Sequence, residues 1–235
     1  MKLILVILFF ISGSFSCRKN ATSMSVPGTA ATKYYYLALG DSYTIGERVP
    51  PPDNFPGQVS NMMKNDTVDF QRPVIIARTG WTTDELETGI VEAGNADPLR
   101  PSYDFVSLLI GVNNQYRGRS ADSYKPEFKE LLKKAIRFAG NKADHVVVLS
   151  IPDWGVTPFA SGRDRAQIAA EIDAYNAANK QIALQYNVHY IDITPWTREA
   201  ATDASLLATD GLHPSGKEYK RWAERVAFFF KQKIK

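Results

Sequence analysis

Short apolar runs and longer amphipathic segments alternate along most of this chain. Tyr34–Leu39, Val74–Ala77, Phe105–Ile110, Val146–Ile151 and Val188–Ile193 are brief, and several are rich in β-branched residues. Runs of this kind predict parallel strands buried on both faces. Between them the apolar spacing changes to a helical period. Thr83–Ala93 opens with a Thr82/Thr83 cap candidate and the early acids Asp84 and Glu85. Phe128–Ala139 puts Phe128, Leu131, Leu132, Ala135 and Ile136 on one face, and Arg165–Tyr186 repeats Ile168, Ile172, Tyr175, Ala178, Ile182 and Tyr186. Ser215–Lys235 carries Tyr219, Trp222, Val226 and Phe229 on one stripe with basic residues elsewhere. It reads as a terminal helix packed on the sheet, and its basic amphipathic character also suits a membrane surface. Alternating β and α predicts one α/β domain: a five-stranded parallel sheet between two helical layers.

The first 33 residues follow another pattern. Residues 3–11 are uniformly apolar, preceded by Lys2 and followed by Ser12, Gly13, Ser14 and Ser16. This is the arrangement of a secretory signal, and it is too short to span a bilayer. Cys17, the sole cysteine, stands where a bacterial lipobox places its lipidated residue. Ser14 and Phe15 depart from that pattern, and Ser14-Phe15-Ser16 also suits ordinary cleavage. Residues 1–17 are thus expected to be a signal segment, 18–32 a polar tether, and 33–235 the folded domain.

Charge narrows the partners. The chain has 28 basic and 25 acidic residues. Lys2, Arg18, Lys19 and Lys33 fall within residues 1–33, which hold no acid, so the rest carries 24 bases against 25 acids. A near-neutral body has no electrostatic footprint for nucleic acid. A single cysteine forms no internal disulfide and no cysteine-based metal site. Any membrane association is expected through a lipid at Cys17.

Ligands of such sheets bind at the carboxyl ends of the strands. Ser42 follows the first strand, where the chain turns toward a helix. Taken alone, Gly40-Asp41-Ser42 could equally be a helix cap. His145 and His189 precede the fourth and fifth strands, at the wrong edge. His213 follows the fifth strand and precedes the last helix, so it is the candidate base. Asp210 lies three residues before it, close enough to orient one imidazole nitrogen. Gly80 follows the second strand, where a glycine allows close backbone approach. Asn113, in Gly111-Val112-Asn113-Asn114, follows the third, where an amide can donate to a developing oxyanion. The loops also carry Tyr43, Trp81, Tyr116, Trp154 and Phe159, which could line an acyl pocket or stack on a sugar.

With these four blocks in order, the chain resembles the SGNH (GDSL-type) hydrolase superfamily. The blocks are Gly40-Asp41-Ser42, Gly80, Gly111-Val112-Asn113-Asn114 and Asp210-Gly211-Leu212-His213. The resemblance implies a flavodoxin-like α/β/α sandwich with Ser42 as nucleophile, His213 as general base and Asp210 as its orienting acid. It implies an oxyanion hole of the Ser42 and Gly80 N–H groups and the Asn113 side chain. Asn114 departs from the aspartate frequent at that position. An α/β-hydrolase would need a Gly-x-Ser-x-Gly elbow, and Thr44 stands where its second glycine belongs. The expected activity is an exported serine ester hydrolase acting through an acyl-enzyme, without metal or organic cofactor. Its substrates are small-acyl esters, including carbohydrate acetates, or lipid esters. Transfer to a glycan hydroxyl and a non-catalytic binding module are the alternatives.

Overall fold

The computed structural model describes residues 30–234. Strand β1 (Thr32–Tyr34) is followed by β2 (Tyr36–Asp41) and the single-turn helix α1 (Ser42–Ile45), then α2 (Phe55–Met63). Next come β3 (Val68–Phe70), β4 (Val74–Arg78) and α3 (Thr83–Ala96). They lead to β5 (Phe105–Leu109), α4 (Val112–Tyr116) and α5 (Ala121–Phe138). The chain closes with β6 (Val146–Leu149), α6 (Arg165–Gln185), β7 (His189–Ile191), α7 (Thr194–Arg198) and α8 (Gly216–Lys231).

The main sheet has five parallel strands in the order β4-β2-β5-β6-β7. Counted along these five, the order is 2-1-3-4-5, the flavodoxin-like arrangement. Helices α2 and α8 pack together on one face, and α3, α5 and α6 cover the other. All of β2 and β5 is buried, as continuous apolar central strands require. Aromatic residues close the α8 face: Phe230 stacks on Phe105 at 4.3 Å and meets Tyr36 edge-on at 5.3 Å. The stripe on the last helix is therefore core packing, with Tyr219, Trp222, Val226 and Phe229 all buried.

Two expectations need correction and one gains length. The first apolar run is two strands. At Tyr35 the ladder is interrupted, because its N–H donates to Asp104 Oδ2 at 2.7 Å and its carbonyl accepts from Asp104 N. The segment before it, β1, pairs instead with β3 in a separate two-stranded sheet. Second, the helix after Ser42 is only one turn long. Gly46, at φ +75°, caps it, and its N–H donates to Ser42 O. The longer α2 starts afterwards, capped by Asn54, whose side chain accepts from Gly57 N at 2.7 Å. Third, the helix expected at Phe128–Ala139 begins at Ala121. Ser120 caps it and Pro126 lies inside it. The expected signal segment 1–17, with Cys17, and residues 18–29 of the tether lie outside the described residues.

Candidate active site

The topological switch point lies where β2 passes between β4 on one side and β5 on the other. Ser42 leaves the carboxyl end of β2, and Gly111-Val112-Asn113 leaves that of β5. Gly40 allows the sheet to close tightly there. A Cβ on it would stand 2.4 Å from the Leu109 carbonyl oxygen and 2.1 Å from Thr44 Oγ1.

A cleft of about 150 Å³ opens at this point. Ser42, Gly80, Asn113 and His213 all line it, as do Tyr43, Tyr116, Trp154 and Phe159. The sequence-derived candidates therefore converge in one place, with Asp210 directly behind His213. Trp81 is the exception among the aromatic candidates. It turns away and packs on α3, where a Cβ at Gly89 would come within 2.0 Å of its ring. The other two histidines are structural. His145 stacks on Phe105 at 5.3 Å, and His189 stacks on Phe229 at 4.2 Å.

Asp210 and His213 occupy the tip of a small hairpin. Leu207 and Pro214 form its bridge, and Ala208 N donates to His213 O at 2.7 Å. Within the tip, one oxygen of Asp210 accepts from the backbone N–H groups of Leu212 and His213, each at 3.0 Å. The other oxygen lies 2.6 Å from His213 Nδ1. Burial opposes ionisation of Asp210, but the hydrogen bonds from His213 and Leu212 outweigh it and hold its pKa below the ordinary value. A hydrogen on Nδ1 then leaves Nε2 as the acceptor. No hydrogen bond joins Ser42 Oγ to His213 Nε2, and Ser42 Oγ has no partner among the described residues. Such contacts commonly tighten only when substrate is bound.

The donors opposite the serine are firmly mounted. Gly80 adopts φ +83°, a conformation that favours glycine, and its N–H has no acceptor among the described residues. Arg117 Nη2 donates to the Gly80 carbonyl at 2.7 Å, and Arg117 Nη1 reaches Glu85 Oε1 at 3.0 Å. Asn113 Nδ2 donates to Trp81 O at 3.0 Å. Its remaining contact is a long 3.5 Å approach to Asp41 Oδ2, weak enough to exchange for a ligand oxygen. Asp41 is itself buried, and desolvation pushes its carboxyl up to about 7 against the hydrogen bonds from Tyr43 N and its own N–H.

Asn114, the departure noted in the sequence, is fully buried and ties α4 to the start of α3. Its Oδ1 accepts from Thr83 N at 3.1 Å, and its Nδ2 donates to Thr83 Oγ1 at 2.7 Å. The Thr83 hydroxyl in turn donates to Glu127 on α5. An aspartate at 114 would leave that hydroxyl between two carboxylates with one proton to give.

Sequence reasoning missed two supports. Arg117 gave no motif signal, since its acceptor is a backbone carbonyl. Asp153, buried behind Trp154, pairs with Arg198 Nε at 2.9 Å. These partners are 45 positions apart, so no local pattern links them.

The profile of the GDSL-like lipase/acylhydrolase family matches residues 38–221, from β2 through the start of α8. The chain belongs to that family. It is accordingly an ester-hydrolysing enzyme. Solved structures agree on the fold. An acetylxylan esterase, Axe2 from Geobacillus stearothermophilus, superposes with a TM-score of 0.64 at 19% identity, covering 88% of this chain and 97% of that one. TesA gives 0.63 at 17%, covering 86% and 100%. The psychrotrophic esterase EstA from Pseudoalteromonas sp. gives 0.61 at 15%, covering 85% and 97%. No curated protein sequence matches the chain. Among the described residues no cluster of acidic, histidine or cysteine side chains could hold a metal ion, and no helix is long and apolar enough to cross a membrane.

Proposed function

We propose that this GDSL-family enzyme is an exported serine esterase whose nucleophile is Ser42 and whose substrates carry short acyl groups. The observation that carries the reading is the 2.6 Å contact of Asp210 Oδ2 with His213 Nδ1, made at the rim of a cleft that Ser42 also lines. His213 Nε2 takes the hydroxyl proton as Ser42 Oγ attacks the ester carbonyl. The Ser42 and Gly80 N–H groups and Asn113 Nδ2 receive the oxyanion. His213 returns the proton to the departing alcohol, leaving an acyl-serine that water hydrolyses by the same sequence. Asp210 holds the imidazole orientation and balances the imidazolium.

Cleft size supports the short acyl group. The cleft is open at its mouth, and its volume of about 150 Å³ matches that of an apolar cavity that holds roughly one benzene, room for a small acyl group within its walls. The neighbouring space, which shares Tyr43, Trp154 and Leu212 with the cleft, is only about 10 Å³, too small for a buried acyl chain. Export rests on the signal-like residues 1–17, with Cys17 as the proposed site of lipid attachment.

Labelling with a fluorophosphonate probe tests the reading. The purified domain is expected to be labelled, and Ser42→Ala and His213→Ala variants are not. A folded wild-type protein that fails to label, or a Ser42→Ala variant that labels equally, overturns it.

A further inference from the structure

A second cavity, of about 200 Å³, adjoins the cleft, and Tyr116 and Trp154 line both. Its character differs. The cleft is lined by aromatic and aliphatic groups around its few polar atoms. The second cavity is lined by Arg163, Asp164, Gln167 and Glu171 from α6 and the loop before it. We infer that this second cavity binds a sugar unit of the alcohol half of the substrate, making the preferred ester an O-acylated oligosaccharide. The inference rests on the esterase reading above and names its substrate class.

Three observations carry it. The first is the pairing of surfaces. Tyr116 and Phe159 are 44% and 47% exposed, large values for aromatic side chains at the mouth of a cleft. Their ring centroids lie 6.1 Å apart, with Trp154 edge-on to both. Such rings offer an apolar platform for the C–H face of a pyranose, while the adjoining polar wall meets its hydroxyls. The guanidinium of Arg163 stands 5.7 Å from the Tyr116 ring centre, so a hydrogen-bond donor flanks the platform.

The second is the preorganisation of the wall. Trp154 Nε1 donates to the buried Gln115 Oε1 at 2.7 Å, and Gln115 Nε2 donates to Glu171 Oε2 at 2.7 Å. Gln167 Nε2 then donates to Glu171 Oε1 at 2.8 Å. The chain of bonds begins beneath the cleft and ends in the second cavity, fixing Glu171 as an acceptor. Fixed donors and acceptors bind a polyol at a lower entropic cost than mobile ones.

The third is exclusion. A long acyl chain leaving the small cleft on this side would cover Arg163, Asp164, Gln167 and Glu171 without hydrogen-bonding any of them. Covering these solvated groups without replacing their hydrogen bonds to water is unfavourable. A further open cavity is lined by Arg78, Asp84, Glu85, Thr88 and Glu92 around the single aromatic Trp81, a mostly polar wall for an acyl chain.

Two measurements test the inference. The Ser42→Ala protein is titrated calorimetrically with acetylated cello-, xylo- and chito-tetraoses, which requires no turnover. At least one is expected to bind, and adding Arg163→Ala with Gln167→Ala is expected to weaken it about tenfold or more. In the catalytically intact background, the same pair of substitutions is expected to lower the kcat/KM ratio of acetylated oligosaccharide to 4-nitrophenyl acetate by about tenfold. Absence of binding to all three sugars overturns the inference, as does an unchanged ratio; a preference for octanoyl over acetyl esters overturns the short-acyl reading instead. If the sugar binds but 4-nitrophenyl acetate is never hydrolysed, the esterase reading fails and the sugar site stands.

Discussion

Arg117 Nη2 donates to the carbonyl oxygen of Gly80 at 2.7 Å, while its other arm holds Glu85 at the start of α3. The Gly80 peptide is thereby clamped from its carbonyl side, and the orientation of that residue, at φ +83°, fixes where its N–H points. Arg117 does not line the cleft, so it acts through Gly80. Arg117→Ala is expected to lower kcat about tenfold with little change in KM, as loosening the proposed oxyanion donor at Gly80 requires. Arg117→Lys, which retains one donor, should recover part of kcat. An equal loss in KM, measured on 4-nitrophenyl acetate, would place Arg117 in substrate binding instead.

Asp210 accepts three hydrogen bonds within its own turn, and only one comes from the imidazole. Asp210→Asn keeps the shape of the turn but permits the wrong imidazole tautomer. Its kcat is expected to fall about 10³–10⁴-fold, while labelling by reactive phosphonates persists at a reduced rate. The same bonds lower the Asp210 pKa in the folded state. Their contribution to stability is therefore complete above the ordinary aspartate pKa and is lost as pH falls through the depressed value. Urea titrations of wild type and Asp210→Asn should converge at the acid end.

Asp41 has the opposite sign. Its carboxyl is pushed up to about 7 by burial, so the folded state holds a proton that the unfolded state has released. Stability associated with this group is greatest below about pH 4 and declines between pH 4 and 7. Asp41→Asn is expected to flatten that decline, gaining stability relative to wild type at pH 8 compared with pH 5. Urea midpoints at the two pH values check it; parallel shifts would show that Asp41 is ionised throughout.

The Asn114–Thr83–Glu127 chain predicts an epistatic pair. Asn114→Asp sets two carboxylates around one hydroxyl and is expected to cost about 1–3 kcal/mol. Glu127→Gln, which supplies an uncharged acceptor in its place, should restore a substantial part. A double-mutant cycle by thermal or chemical denaturation measures the coupling. Additivity would mean that Thr83 does not transmit the effect.

The five main strands were legible because each is a short apolar run flanked by helical periodicity; β2, β5 and β6 are buried on both faces, whereas the edge strands β4 and β7 are buried only in part. The same logic fused β1 with β2. Nothing in Tyr34-Tyr35-Tyr36 marks the point where Asp104, nearly 70 positions later, takes both backbone groups of Tyr35. Helix α2 has a readable start signal in Asn54 and Pro56, but its nine residues bury only Phe55, Val59 and Met63 among large apolar side chains, too few to set a helical period. The convergence of Ser42, Gly80, Asn113 and His213 followed from one rule, that each comes after the carboxyl end of a strand. Their supports escaped notice because Arg117, Asp153 and Arg198 act through backbone carbonyls and buried pairs distant in sequence.

The Asp210–His213 tip is held chiefly by its own carboxylate and the Leu207–Pro214 bridge, with only looser outside contacts from Phe159 N to Gly211 O at 3.4 Å and from Arg48 Nε to Asp210 Oδ2 at 3.9 Å. Ser42 arrives from a strand laid down some 170 positions earlier, and no bond ties it to that tip. The proposed acid and base thus ride largely as one local unit, whereas their registration with the proposed nucleophile belongs to the domain as a whole. Mild denaturant, heat or a remote core substitution should therefore silence turnover before it erodes helical signal, by misaligning two intact halves. Activity in this enzyme is a finer gauge of domain closure than any spectroscopic average over its residues.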